Sequence, residues 1–75
     1  MTEAAHAVIL VYSTSYALRA EKLLAQAGID CKLIPVPRQL SSDCGVCVRV
    51  AGDERSAALR ALEDGSLEVE GVHDV

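Results

Sequence analysis

Apolar and polar positions along the chain fall into six patterned runs, and each run marks an element. "AVILVY", Ala7 to Tyr12, is apolar throughout and predicts a strand buried on both faces. "STS", Ser13 to Ser15, then offers hydroxyls for a helix N-cap. From Tyr16 to Ala27 the apolar residues Tyr16, Ala17, Ala20, Leu23, Leu24 and Ala27 gather on one side of a helix. Arg19, Glu21, Lys22 and Gln26 take its flanks, Leu18 projects away from the stripe, and Gly28 is a natural stop. "DCKLIPV", Asp30 to Val36, predicts a second strand, which Pro35 and Pro37 confine to a sheet edge. "GVCVRV" alternates, with Val46, Val48 and Val50 on one face and Cys47 and Arg49 on the other. After an "AGD" turn, Asp53 is placed to cap a second helix, Glu54 to Glu63, with Ala58, Leu59 and Leu62 inward and a stop before Gly65. "SLEVEGV" alternates again, Leu67 and Val69 in and Glu68 and Glu70 out, as an edge strand guarded by charge would.

The order β-α-β-β-α-β is that of the ferredoxin-like α+β fold, a four-stranded antiparallel sheet with two helices on one face. Its first and third strands are central and its second and fourth are edges. The apolar runs and the proline- and glutamate-bearing runs fall accordingly. No repeat or linker interrupts the chain, so residues 1–75 are expected to form one domain.

Composition narrows the function. The chain has 75 residues, 51% of them hydrophobic, and its only aromatic side chains are two tyrosines, so the core must be aliphatic. A formal charge of −4 with seven basic residues and no basic cluster argues against nucleic acid as a partner. No apolar run reaches the roughly 20 residues of a membrane span. The start, "MTEAAHAV", lacks the basic region of a signal peptide, so a cytoplasmic location is expected. There thiols stay reduced, and an odd count of three cysteines speaks against a disulfide framework.

The topology gives the cysteines different surroundings. The start of the first helix and the loop between the second and third strands belong to the same end of the sheet. "STSY" (Ser13 to Tyr16) is therefore expected to face "PRQLSSDCG" (Pro37 to Gly45). A helix N-terminus presents unpaired N–H groups and partial positive charge, which lower the pKa of a nearby thiol. Arg38 adds a full charge, Ser41 and Ser42 add donors, and Gly45 permits close backbone approach. Asp43 opposes a thiolate at its neighbour Cys44. Cys44 is thus the candidate reactive thiol, with a plain buried loop cysteine as the alternative. Cys31 reads as packing. Cys47 points away from the helices, as structural or interface packing or as a second thiol. Cys44-Gly45-Val46-Cys47 enters a strand rather than opening a helix, so its sulfurs point apart and a redox pair is secondary. Zinc would need more ligands than one C-x-x-C supplies, and His6 and His73 read as exposed terminal residues, so no metal site is expected. Phosphate-loop, dinucleotide, zinc-protease and nucleophile-elbow motifs are all missing, and a self-contained enzyme in so short a chain is disfavoured. Ile34, Val36 and Cys47 on an uncovered apolar sheet face predict a homodimer or a partner-bound state.

The run "KLIPVPRQLSSDCGVCVRV", Lys32 to Val50, together with "AEKLL" in the first helix, resembles an uncharacterised bacterial family, the selenium/sulfur carrier protein-like family (DUF3343). The resemblance spans about Ala7 to Gly65 and is most specific at Ile34-Pro35-x-Pro37-Arg38 and Ser41-Ser42-x-Cys44-Gly45. By position, the family's motif cysteine is Cys44, and Pro35, Pro37, Arg38, Ser42 and Gly45 also match. Cys47 departs from the pattern. The resemblance implies a non-enzymatic carrier that needs no cofactor and holds a persulfide or selenopersulfide on Cys44. Its donor would be a protein such as a cysteine desulfurase, and its acceptor a further protein. Arg38 and the N–H groups near Ser13, Thr14 and Ser15 would stabilise the persulfide anion. The competing reading is a small anion-binding or regulatory module in which Cys44 only forms a wall.

Overall fold

A computed structural model of the chain describes residues 6–38, 40 and 45–74. The strands are β1 (His6–Leu10), β2 (Cys31–Pro35), β3 (Val46–Ala51) and β4 (Gly71–Asp74), and the helices are α1 (Thr14–Gln26) and α2 (Arg55–Asp64). They form one antiparallel sheet in the order β2-β3-β1-β4, the ferredoxin-like arrangement expected from the sequence.

The core follows from strand alternation. Ala7, Ile9 and Val11 meet Val48 and Val50, and onto them pack Ala17, Ala20 and Leu24 of α1 and Ala58 and Leu62 of α2. Every one of these side chains is aliphatic, and all are essentially shut off from solvent. Tyr16 leaves the helix stripe that its spacing assigned it. It is exposed and stacks edge-on against Tyr12, their ring centroids 6.0 Å apart and planes at 78°.

Both helices end in the same way. Ile29 N–H bonds Leu24 C=O at 2.9 Å and Gly28 N–H bonds Ala25 C=O at 3.1 Å, with Gly28 at φ +77°. Leu67 N–H bonds Leu62 C=O and Ser66 N–H bonds Glu63 C=O, both at 2.9 Å, with Ser66 at φ +60°. These are Schellman motifs, and each turns an apolar residue, Ile29 or Leu67, back into the core. At the second helix the left-handed position therefore falls on Ser66, not Gly65. Gly65 is glycine for a different reason, since a Cβ there would lie 2.6 Å from Leu23 Cδ1.

Two expected boundaries move. Asp53 does not cap α2. It lies within a 3-10 turn, Gly52–Glu54, and α2 starts after Glu54 with no side-chain cap. The last strand is not Ser66 to Val72, because Leu67 is buried by the helix exit rather than by strand pairing. β4 begins at Gly71, opposite Leu10.

The sheet face opposite the helices carries a second apolar cluster. Val8, Leu10 and Cys47 are buried there, with Ile34, Val36 and Leu40 packed against them. The face behind the homodimer expectation is partly filled within one chain: Val8 and Cys47 are at 0% exposure, while Ile34, Val36 and Leu40 around them are half-buried.

Candidate functional site

Topology brings four segments to one end of the sheet: the start of α1, the foot of the β2–β3 connection, the α2–β4 connection and the C-terminal end of β1. At α1, Ser13 is the N-cap, and its hydroxyl accepts from Tyr16 N–H at 3.3 Å. Thr14 and Ser15 are exposed in the first turn, which contains no acidic residue of its own.

The foot of the β2–β3 connection is a continuation of the strand ladder. Val36 N–H bonds Gly45 C=O at 3.2 Å, one pair beyond Pro35 and Val46. Leu40 N–H bonds Pro37 C=O at 3.0 Å, making a turn that holds Arg38 outward and exposed. Gly45 sits at φ +81° with open space where a Cβ would be, so the backbone conformation, and not crowding, favours glycine there. Ser41, Ser42 and Cys44 lie outside the described residues, as does Asp43. Val36 and Leu40 lean onto the sheet face away from the helices, against Val8, Leu10 and Cys47. The cavity beside the α1 start, about 330 Å³, is lined by Ser15, Tyr16, Arg19, Ser66, Leu67 and Glu68. Its far wall is thus the α2–β4 connection rather than Arg38. Arg19 spans that junction, its guanidinium donating to Gly65 C=O at 3.4 Å.

Two of the three cysteines are described, and the sheet separates them. Cys31 packs on the helix side, half-buried, its thiol 4.0 Å from Glu21 C=O. Burial pushes its pKa above the ordinary thiol value, and the nearby carboxylates of Glu21 and Asp30 push it further. Cys47 is on the opposite face, fully buried, with its thiol 4.0 Å from Pro35 C=O. Its face is the one that strand alternation assigned it. Cys47 is thus closed off from solvent and Cys31 is half-buried. Among the described residues, no three histidine, cysteine, aspartate or glutamate side chains gather in a metal-binding group.

Sequence reasoning missed the exposure of both aromatic rings, Tyr12 at 54% and Tyr16 at 37%. The signal available was Tyr12 itself, which stands beyond the last residue that can pair in β1. It also read His6 as a loose terminal residue, whereas His6 is half-buried inside β1.

These features define an aliphatic ferredoxin-like domain with an exposed arginine and a helix N-terminus at one end of its sheet. The chain belongs to the family described as "Putative Se/S carrier protein-like", whose model matches residues 6–74. That match runs past Gly65 to the end of β4, farther than the motif resemblance reached. No curated protein and no solved structure matches the chain. None of its helices, among the described residues, is long and apolar enough to cross a membrane.

Proposed function

We propose that this chain is a sulfur or selenium carrier that receives the element on Cys44 as a persulfide and hands it to a partner protein. The observation that carries this reading is the state of the other two thiols. Burial, then Glu21 and Asp30, push the Cys31 pKa above the ordinary thiol value, and Cys47 is sealed beneath Val36 and Leu40. Family membership supplies the class of cargo.

The transfer is a thiolate exchange with no net oxidation. The Cys44 thiolate attacks the outer sulfur of a persulfide on a donor such as a cysteine desulfurase. A new S–S bond forms to Cys44, the donor's S–S bond breaks, and the donor cysteine leaves as a thiolate. The persulfide on Cys44 is an anion at neutral pH. Arg38 and the N–H groups of the α1 start supply positive charge at that end of the sheet. An acceptor thiolate then takes the outer sulfur by the same exchange, and Cys44 leaves as a thiolate. This chemistry suits the reducing cytoplasm and an open site, because both reactions require another protein to reach the sulfur.

Intact mass after incubation with a cysteine desulfurase and cysteine tests the reading. A reductant-sensitive gain of one sulfur is expected in the native chain, in Cys31→Ser and in Cys47→Ala, and is expected to vanish in Cys44→Ser. An adduct that survives in Cys44→Ser, or no adduct in the native chain, overturns the carrier reading in favour of a ligand-binding module.

A further inference from the structure

Strand alternation sorts the sheet residues onto two faces. Cys31, Leu33, Ala7, Ile9, Val48, Val50 and Val72 turn to the helices. Lys32, Arg49, His6 and His73 therefore stand on the opposite face. In register, Lys32 is the direct partner of Arg49, Arg49 of Val8, and Val8 of His73. One row across all four strands thus reads Lys32, Arg49, Val8, His73, with His6 one residue further along β1's same face. The adjoining row, Ile34, Cys47, Leu10 and Gly71, carries the second apolar cluster.

Like charges directly opposite one another on neighbouring strands repel and destabilise the pairing. Lys32 and Arg49 are such a pair. No strand residue on this face is acidic. Asp74, in register with Ala7, turns to the helix side and pairs with Arg55 at 3.6 Å. It is the one ion pair between described residues, so neither Lys32 nor Arg49 pairs with a described carboxylate. The molecule as a whole carries eleven acidic against seven basic residues, so this face has the opposite sign to its chain.

We propose that this sheet face docks an acidic segment of a partner protein, its carboxylates on Lys32, Arg49 and His73 and its apolar side chains against the rim of Ile34, Val36 and Leu40. Charge complementarity sets the class of occupant, and the apolar row beside the basic one selects a protein segment over a small anion. Nucleic acid fits poorly. Both tyrosines stand beyond the end of β1, outside the basic row, so the row itself offers no ring for bases to stack on. The cavity of about 260 Å³ beyond the row, where a polyanion would continue, is lined by Asp30 and Glu54 as well as by Lys32 and Arg49. A second copy joined symmetrically through this face would set its own Lys32 and Arg49 against these. The proposal does not depend on Cys44.

The test uses the full isotope-labelled chain and two synthetic helical peptides with leucine at identical positions and either glutamate or lysine elsewhere. Saturable amide shifts centred on Lys32, Arg49, Val8 and His73 are expected with the glutamate peptide alone, weakening sharply in high salt. The double variant Lys32→Gln, Arg49→Gln should bind about tenfold more weakly. Lys32→Glu should raise the melting temperature, because it replaces a repulsive cross-strand pair by an attractive one, while abolishing binding. That combination separates a site from a merely structural residue and is immune to misfolding of the variant. Equal binding of the lysine peptide, shifts centred elsewhere, no binding at millimolar peptide, or native-like binding by Lys32→Glu each overturns the proposal. Saturation of the same shifts by inorganic phosphate or a short oligonucleotide alone would also overturn it, assigning the face to that ligand instead.

Discussion

At Gly28 and Ser66 the backbone takes the same left-handed turn with different side chains, and the two positions should respond oppositely to exchange. Gly28→Ala meets no steric obstacle, so its expected cost is the backbone term alone, about 1 kcal/mol in urea unfolding. Ser66→Gly should stabilise the chain by up to about 1 kcal/mol for the mirror reason. Gly65→Ala drives a methyl into the Leu23 side chain and should cost about 1–3 kcal/mol unless Leu23 changes rotamer. Gly28 was legible as a stop because a periodic stripe ends just before it. Ser66 was not, since glycine next door offered the cheaper left-handed residue and only the three-dimensional approach of Leu23 shows why it is spent elsewhere. Cys31 makes a further residue-scale prediction. Its thiol should alkylate more slowly at neutral pH than an unhindered cysteine thiol, since burial, Glu21 and Asp30 all disfavour the thiolate. The unfolded chain would give up that proton first as pH rises. Stability from this group is therefore full below the ordinary thiol pKa and is lost as pH climbs through the raised native one. Cys31→Ala should flatten that alkaline decline in a series of melting curves.

The two helices begin differently, and their caps should be unequal. Ser13→Ala removes the acceptor for Tyr16 N–H and should destabilise by about 1 kcal/mol. Asp53→Ala should cost only a few tenths, because Asp53 makes no capping bond and contributes through charge near the α2 start. Circular dichroism melts of both variants check the contrast. The elements themselves were readable from period alone: a continuous apolar run for β1, a stripe for α1, strict alternation for β3. β4 was displaced because "LEVE" alternates as a strand does, although Leu67 reaches the core through a helix exit. Alternation says which side chains are buried without saying what buries them. The site divides in the same manner. The sequence shows which end of the sheet the β2–β3 connection belongs to, and Gly45 and Arg38 occupy that end. That Cys47 would be sealed could not be read, because it depends on Val36 and Leu40 folding over the sheet rather than towards α1.

For the whole molecule, two apolar clusters share one thin sheet, a larger one under the helices and a smaller one under the β2–β3 connection. Leu24→Ala in the larger should cost about 2–5 kcal/mol, enough to unfold a domain of this size at moderate temperature. Leu40→Ala in the smaller should leave the helices intact yet speed alkylation of Cys47, which in the native chain should wait on opening of that cover. Following Cys47 modification by mass against the unfolding midpoint tells the two clusters apart. The pairing of Tyr12 with Tyr16 has a practical corollary. The chain contains no tryptophan, and these are its only tyrosines, so its entire ultraviolet emission and near-ultraviolet dichroism originate from two touching rings outside the core. Light from this protein is blind to the packing of its interior and watches one place only: the threshold between β1 and α1, at the end of the sheet where sulfur would be handed over.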